Sequence, residues 1–246
     1  AEGQPVRIIV SMARALAQNL IVQPDITSPE ELRGKSWAID GFGALSHHMS
    51  RLVVRALNIG EDEIDWQAVG PPPERIARLL EASIDVSLIR VEEATSLDSD
   101  TNNKLHTLLG FAELKDLVPI QPHGVLATTE AYEQAHPEQM LRLTKGMIRA
   151  SRALNDDFEN FRKVYDHHVT VKVDDEKVHD IWQKERDSGG FAVNGELTNG
   201  HWKSQMELFY ELHSELPEIS RGDLIAENFV AQALEDLGVQ PGQDVA

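Results

Sequence analysis

Leu32-Arg-Gly-Lys-Ser-Trp-Ala-Ile-Asp-Gly-Phe-Gly-Ala-Leu-Ser46, Ile64-Asp-Trp-Gln-Ala-Val-Gly-Pro-Pro-Pro-Glu-Arg-Ile76 and Ala82-Ser-Ile-Asp-Val-Ser-Leu-Ile-Arg-Val-Glu-Glu-Ala94 are the passages that decide the fold. Each is a short apolar run that stops at a turn and opens into a helical pattern. Repetition of this unit predicts an α/β chain in which Trp37 to Ile39, Ile64 to Val69 and Ile84 to Ile89 lie parallel in one sheet, their C-terminal ends converging on one crevice. After the first run, Leu45, Met49, Leu52, Val53, Ala56 and Leu57 form an apolar stripe, with Asn58 and Gly60 ending the helix. After the second, Ile76, Ala77, Leu79 and Leu80 mark the inner face of another helix.

Working outward, Val6 to Val10 and Asn19 to Val22 are β-rich, joined by an Ala-rich stretch that fits either helix or loop. Ser28-Pro29-Glu30-Glu31 has the composition of a capping box, and Gly34 supplies a stop, so one helical turn is expected there. From Lys104 the chain reads as connective until Val118 to Thr128, a β-rich stretch interrupted by Pro119, Pro122 and Gly124. The remainder is helical in pattern, with a stripe at Met140, Leu143, Met147, Ser151 and Leu154, another at Val178, Ile181 and Trp182, and a last helix with Asp223 as its expected cap and Gly238 as its stop.

Composition narrows the function classes. The chain has 246 residues, 41% of them apolar, enough for one large core or two modest ones at roughly 100 to 150 residues per domain. Its 41 acidic against 23 basic residues give a formal charge of −18, which repels phosphate backbones and anionic lipid and argues against nucleic acid or a membrane surface as partner. Local donors can still hold a small anion. With no cysteine there is neither a disulfide framework nor thiolate chemistry. No apolar run approaches the roughly 18 residues of a membrane span. The Ala-Glu-Gly start fits either a mature terminus after cleavage or an arbitrary cut.

The strongest chemical signal is Gly41-Phe42-Gly43-Ala44-Leu45-Ser46-His47. A glycine-opened turn at a strand's end leaves backbone N–H groups and the positive end of a helix aimed at the same point, which suits an anion or a carbonyl. The same glycines also serve a tight strand-to-helix junction, and the sequence leaves both roles open. The segment lacks the third glycine and the distal acidic residue of a dinucleotide fingerprint, and it is no Walker loop. Arg90, at the end of the third run, is placed either to pair with a carboxylate or sulfonate or to sit on the surface with Glu92 or Glu93. Gly70 and its prolines end the second run and shape a wall. His123, within Pro119-Ile-Gln-Pro-His123-Gly124, fits a ligand donor, an acid/base group or a structural hinge residue. The pairs His47-His48 and His167-His168 are adjacent, about 100° apart on a helix, so neither chelates a metal well and no metal is assigned. No Gly-x-Ser-x-Gly elbow is present.

Taken together, Pro5-Val-Arg-Ile-Ile-Val10, Ile26-Thr-Ser-Pro-Glu-Glu-Leu-Arg-Gly-Lys35, the junction at Gly41 to Ser46, Ala82-Ser-Ile-Asp-Val86 (similar to a Gly-x-Ile-Asp-Ala step) and His123-Gly-Val-Leu-Ala-Thr-Thr129 with His136-Pro-Glu138 resemble the periplasmic solute-binding proteins of nitrate, sulfonate and taurine importers. The related thiamine-precursor (NMT1/THI5-like) domain shares these features. The resemblance covers most of the chain, which starts after the βαβα portion that normally opens the first lobe. It implies a type II periplasmic-binding-protein fold, with residues 1–36 and 120–246 as a partial first lobe and 37–119 as a second, ligand-binding lobe. It implies that Gly41, Phe42, Gly43, Ala44, Ser46, His47, Gly70, Arg90 and His123 line a site for a small sulfonate, carboxylate or similar anion. It further implies no cofactor, a periplasmic or extracellular location, and delivery to the membrane permease of an ABC importer, with a homo-oligomer standing in for the absent part of the lobe as an open alternative. A second implied reading is an enzyme. The chain also resembles dihydroxyphthalate-type decarboxylases, in which case His123 and Arg90 would be catalytic and the location cytoplasmic.

Overall fold

The computed structural model describes residues 5–14, 17–91, 93, 94, 97, 105–118, 124–169, 173–187, 189–195, 197–212, 214, 215 and 217–241. In chain order the elements are β1 (Val6–Ala13), β2 (Gln18–Val22), β3 (Ser36–Ile39), α1 (Leu45–Ala56), β4 (Asp65–Ala68), α2 (Pro72–Leu80), β5 (Val86–Arg90), β6 (His106–Leu109), α3 (Phe111–Leu117), β7 (Gly124–Thr129), α4 (Glu130–Ala135), α5 (Pro137–Asp156), α6 (Phe158–His168), α7 (Asp175–Asp187), α8 (Asn199–Leu212), α9 (Arg221–Leu224) and α10 (Glu227–Leu237). The chain forms two compact units, one comprising residues 17–119 and 173–184, the other the remainder.

The unit of residues 17–119 is built on a five-stranded sheet in the order β4-β3-β5-β2-β6. β3 runs parallel to β4 and to β5, as expected from the three apolar runs, with Trp37 opposite both Trp66 and Val86. β2 is antiparallel to β5 and to β6. The C-terminal ends of β3, β4, β5 and β6 therefore share one edge of the sheet. Runs buried at every position, such as Val86 to Ile89 in β5, mark strands covered on both faces. Trp37, Leu20, Ile39 and Val86 are fully buried, and Ile89 packs in a cluster with Ile21, Ala38, Leu79 and Ile84.

Several expectations are corrected. Residues 17–36 belong to this unit and not to the other, because β2 is hydrogen-bonded between β5 and β6. The Ala-rich stretch is neither helix nor loop at its start, since β1 continues to Ala13. The region after Lys104 is not merely connective: β6 is an edge strand, and α3 buries Phe111 and Leu114. The buried stripe of α1 is Ser46, Met49, Ser50, Val53 and Val54, rotated from the apolar positions, so Leu45 remains half exposed. On α2 the buried residues are Arg75 and Leu79, and Ala77 and Leu80 face solvent.

Asp85 explains how β3 and β5 keep register. Its Oδ2 accepts from the Ser36 amide at 2.8 Å and from the Ser36 hydroxyl at 2.7 Å. The preceding turn puts Ala82 at φ +53°, a left-handed conformation that suits glycine better than alanine.

The other unit pairs β1 with β7 in antiparallel register from Val6↔Thr129 to Ala13↔Gly124. α5 and α10 cover this ribbon through Ile9, Met140, Ala226 and Phe229, and through Val10, Ile148 and Ala233. Thr144 and Ile148 are buried on α5, while the expected Leu143 is exposed. Arg152 ties α5 to the chain around it, donating to the carbonyls of Val193 at 2.7 Å, Leu237 at 3.1 Å and Gly238 at 2.7 Å. Asp223 does not cap α10; it lies inside α9, where its amide donates to the Ser220 hydroxyl, and the residue before α10 is Ala226. Gly238 ends α10 at φ +70°, as expected.

Candidate functional site

β3 ends at Ile39, and five residues, Asp40 to Ala44, carry the chain into α1. Gly43 adopts φ +80°, a conformation that a residue with a Cβ enters only at a cost, and it allows the tight reversal. The turn is closed from within: the Asp40 amide donates to Ser46 Oγ at 2.8 Å, the Ala44 amide to the Gly41 carbonyl at 3.1 Å, and the Gly43 amide to His47 Nδ1 at 3.1 Å. Ala44 occupies the N-cap and offers no side-chain oxygen to the first turn. The Leu45, Ser46 and His47 amides thus lack the cap that a serine, threonine or aspartate would supply, at the positive end of a 12-residue helix. Phe42, 68% exposed, and Leu45, 50% exposed, stand beside them as an apolar rim.

His47 is held between aromatic neighbours. Its ring meets Phe42 edge-on at 5.4 Å and Trp66 at 5.3 Å, and Trp66 in turn contacts Trp37 at 5.6 Å. Burial lowers the His47 pKa, and the positive charge of Arg51 and neighbouring His48 act in the same direction, against a smaller opposite effect of Glu61. Neutral His47 carries its proton on Nε2, which leaves Nδ1 free to accept from Gly43. Arg51 is itself engaged with Glu61 at 2.6 Å.

Beneath the turn lies a buried cation that the sequence reading missed. Arg75, only 3% exposed, donates from one Nη to Ser87 Oγ at 3.0 Å and to the Leu88 carbonyl at 2.7 Å. Its Nε lies 3.1 Å from Asp40 Oδ1, an ion pair whose angle is not that of a hydrogen bond. Burial lowers the Arg75 pKa; Asp40 and then Glu93 oppose that shift, and Arg90 adds to it. The signal was present, because a charged residue interrupts the inner stripe of α2 at Arg75, Ile76 and Leu79, and such a residue needs a partner.

The structure thus brings Gly41, Phe42, Gly43, Ala44, Ser46 and His47 together at the sheet edge. Ser46 is buried, and its hydroxyl accepts from the Asp40 amide. Gly70, at φ +120°, adjoins this turn through its amide, which donates to the Ile39 carbonyl at 3.3 Å. Arg90 lies exposed on the same edge at the end of β5, opposite Gln18, and is close enough to act electrostatically on Arg75. His123 and Glu92 lie outside the described residues. No group of three or more metal-ligating side chains occurs among the described residues.

A concavity of about 610 Å³ opens between Asn19, Val91, Gly110, Phe111 and the α7 residues Lys177 and Lys184. Asn19 Oδ1 accepts from the Phe111 amide there at 2.9 Å, and Lys184 pairs with Asp180 at 2.6 Å. The Gly41 turn is the stronger candidate, since its uncapped amides have no such internal acceptor.

No family model and no curated protein sequence matches the chain. Solved structures do match in fold. A putative sulfonate ABC transporter component, the periplasmic sulfonate-binding protein SsuA of Methylobacillus flagellatus, aligns over 98% of this chain and 73% of its own at a TM-score of 0.72 and 14% identity. The ligand-binding component of an ABC-type import system from Staphylococcus aureus aligns over 94% and 75% at a TM-score of 0.70 and 14% identity. The alkanesulfonate-binding protein SsuA of Xanthomonas axonopodis, bound to MOPS, aligns over 94% and 74% at a TM-score of 0.62 and 16% identity. The chain therefore has the α/β fold of the periplasmic binding proteins.

Proposed function

We propose that this chain is a solute-binding protein that captures a small organic anion, a sulfonate or a carboxylate, at the Gly41 to His47 turn for delivery to an ABC importer. One observation carries the reading: an uncapped first helical turn at the shared edge of parallel strands, flanked by exposed Phe42 and Leu45. Backbone amides suit the anionic head, with hydrogen bonds to a charged group contributing roughly 1.5 to 3 kcal/mol each, and the apolar rim suits an organic tail. The fold likeness to sulfonate-binding importer components supports the same reading, as does the residue resemblance to the nitrate, sulfonate and taurine group and its NMT1/THI5-like relatives. A periplasmic or extracellular location belongs to this proposal. Arg90 is assigned here to the anion's outer side.

The test is a thermal-shift screen of alkanesulfonates, aromatic carboxylates, nitrate and sulfate. A ligand present at about 100 times its Kd stabilises by roughly 2.7 kcal/mol, which raises Tm by several degrees in a chain of this size. Absence of any shift across the panel contradicts the proposal. Turnover of an aromatic dicarboxylate would instead favour the decarboxylase reading.

A further inference from the structure

Asp40 poses a problem for any anion at the α1 turn. Its carboxylate is 40% exposed and belongs to the residue immediately before Gly41, so a negative charge stands beside the amides that would receive another. The arrangement contains its own answer. Arg75 reaches from the interior of α2 to that carboxylate, and its position is fixed by Ser87 and the Leu88 carbonyl rather than by solvent. Ser87 is fixed in turn, its hydroxyl donating to the Ala38 carbonyl on β3 at 3.0 Å. A buried guanidinium with this many fixed contacts cannot swing away from Asp40, and it loses little when a ligand arrives because it is already desolvated.

We propose that Arg75 is a positioning residue for the anion site: it neutralises Asp40 and holds its carboxylate to the interior side of the turn, so that the α1 amides present a positive face to the ligand. The inference rests on the anion-binding reading. It adds to that reading a residue that touches no ligand yet sets the charge the ligand meets. Of the other charges near Arg75, Glu93 acts on it in the same direction as Asp40 and Arg90 in the opposite one.

The test is a charge cycle on the full chain, read as the affinity for butanesulfonate and for benzoate by calorimetry at pH 7.5. Arg75→Met leaves Asp40 uncompensated and should weaken binding by about tenfold or more, the equivalent of at least one pK unit of interaction. Asp40→Asn should tighten it. The double variant should return to within about threefold of the parent chain, because the coupled charges are removed together. Arg75→Lys keeps the charge while losing the planar fork, so it should bind far better than Arg75→Met; it also serves if the methionine variant fails to fold.

A purely structural role predicts the opposite pattern. Asn at position 40 would then give no rescue, and Arg75→Lys would be as impaired as Arg75→Met. Either result, with the parent chain binding normally, overturns the inference alone. A parent chain that binds neither anion overturns the functional reading and this inference with it.

Discussion

Replacing His47 tests the closure of the turn and its aromatic contact with β4. Its Nδ1 accepts from the Gly43 amide at 3.1 Å, and its ring meets Phe42 and Trp66 edge-on at 5.4 and 5.3 Å. One neutral hydrogen bond contributes roughly 0.5 to 1.5 kcal/mol and each aromatic contact a similar amount, so His47→Ala should cost about 1.5 to 3 kcal/mol after allowance for partial exposure. His47→Asn keeps an acceptor near the Nδ1 position and should recover about 1 kcal/mol of that loss. The pH dependence has a definite sign. The folded-state pKa of His47 lies below the ordinary value of 6.5, so the neutral ring is the folded form. The unfolded chain takes up the proton first as pH falls, and the stabilisation by His47 is therefore complete above about pH 6.5 and is lost as pH falls through the folded-state value.

Urea unfolding of the parent chain, His47→Ala and His47→Asn at pH 7.5 and pH 5 reads both effects. The gap between the parent and His47→Ala should narrow at pH 5, while Asn, which does not titrate, shows no such change relative to Ala. A parent-to-Ala gap that is equal at both pH values, or smaller than about 0.5 kcal/mol at pH 7.5, would refute the assignment of neutral His47 as the acceptor that closes the turn.

Other positions give separate tests. Ala82→Gly should stabilise the chain by about 1 kcal/mol by relieving φ +53°, visible as a higher urea midpoint with an unchanged m-value. Gly70→Ala should destabilise by about 1 to 3 kcal/mol because φ is +120° there, the displaced Glu74 side chain adding little; an unchanged midpoint would contradict the strain. Arg152→Met should cost about 2 kcal/mol or more through the part-buried carbonyls of Val193 and Leu237, and hydrogen exchange should quicken around Val193 and Gly238 first. Ile148→Ala, at a fully buried site, should cost about 2 to 5 kcal/mol by cavity formation, measured in the same way.

Much of the sheet was legible because its strands are short buried runs closed by strong punctuation. Trp37 to Ile39 followed by Gly41 and Gly43, or Ile64 to Val69 followed by Gly70 and prolines, admits few other readings. β6 and α3 were not legible, since His106 to Leu109 is an edge strand of four residues and α3 is too short to show a period. On α1 the apolar count misplaced the stripe because two buried positions are serines, one of them spent on closing the turn. The place of β2 depended on pairing across distant sequence, which no local pattern reveals. At the site, the glycine turn and His47 were readable from residue type. Asp40 was not, and Arg75 showed only as a charge beside the inner stripe of α2, because their pairing forms across 35 residues between a strand end and a helix interior.

The central claim is that the α1 amides receive an anion, and backbone amide NMR during titration with butanesulfonate addresses it most directly. The account predicts saturable shifts concentrated on Phe42 to His47, with Asn19 and Phe111 unmoved. Saturable shifts confined to Asn19, Gly110 and Phe111, or no saturable shift at all, would contradict it.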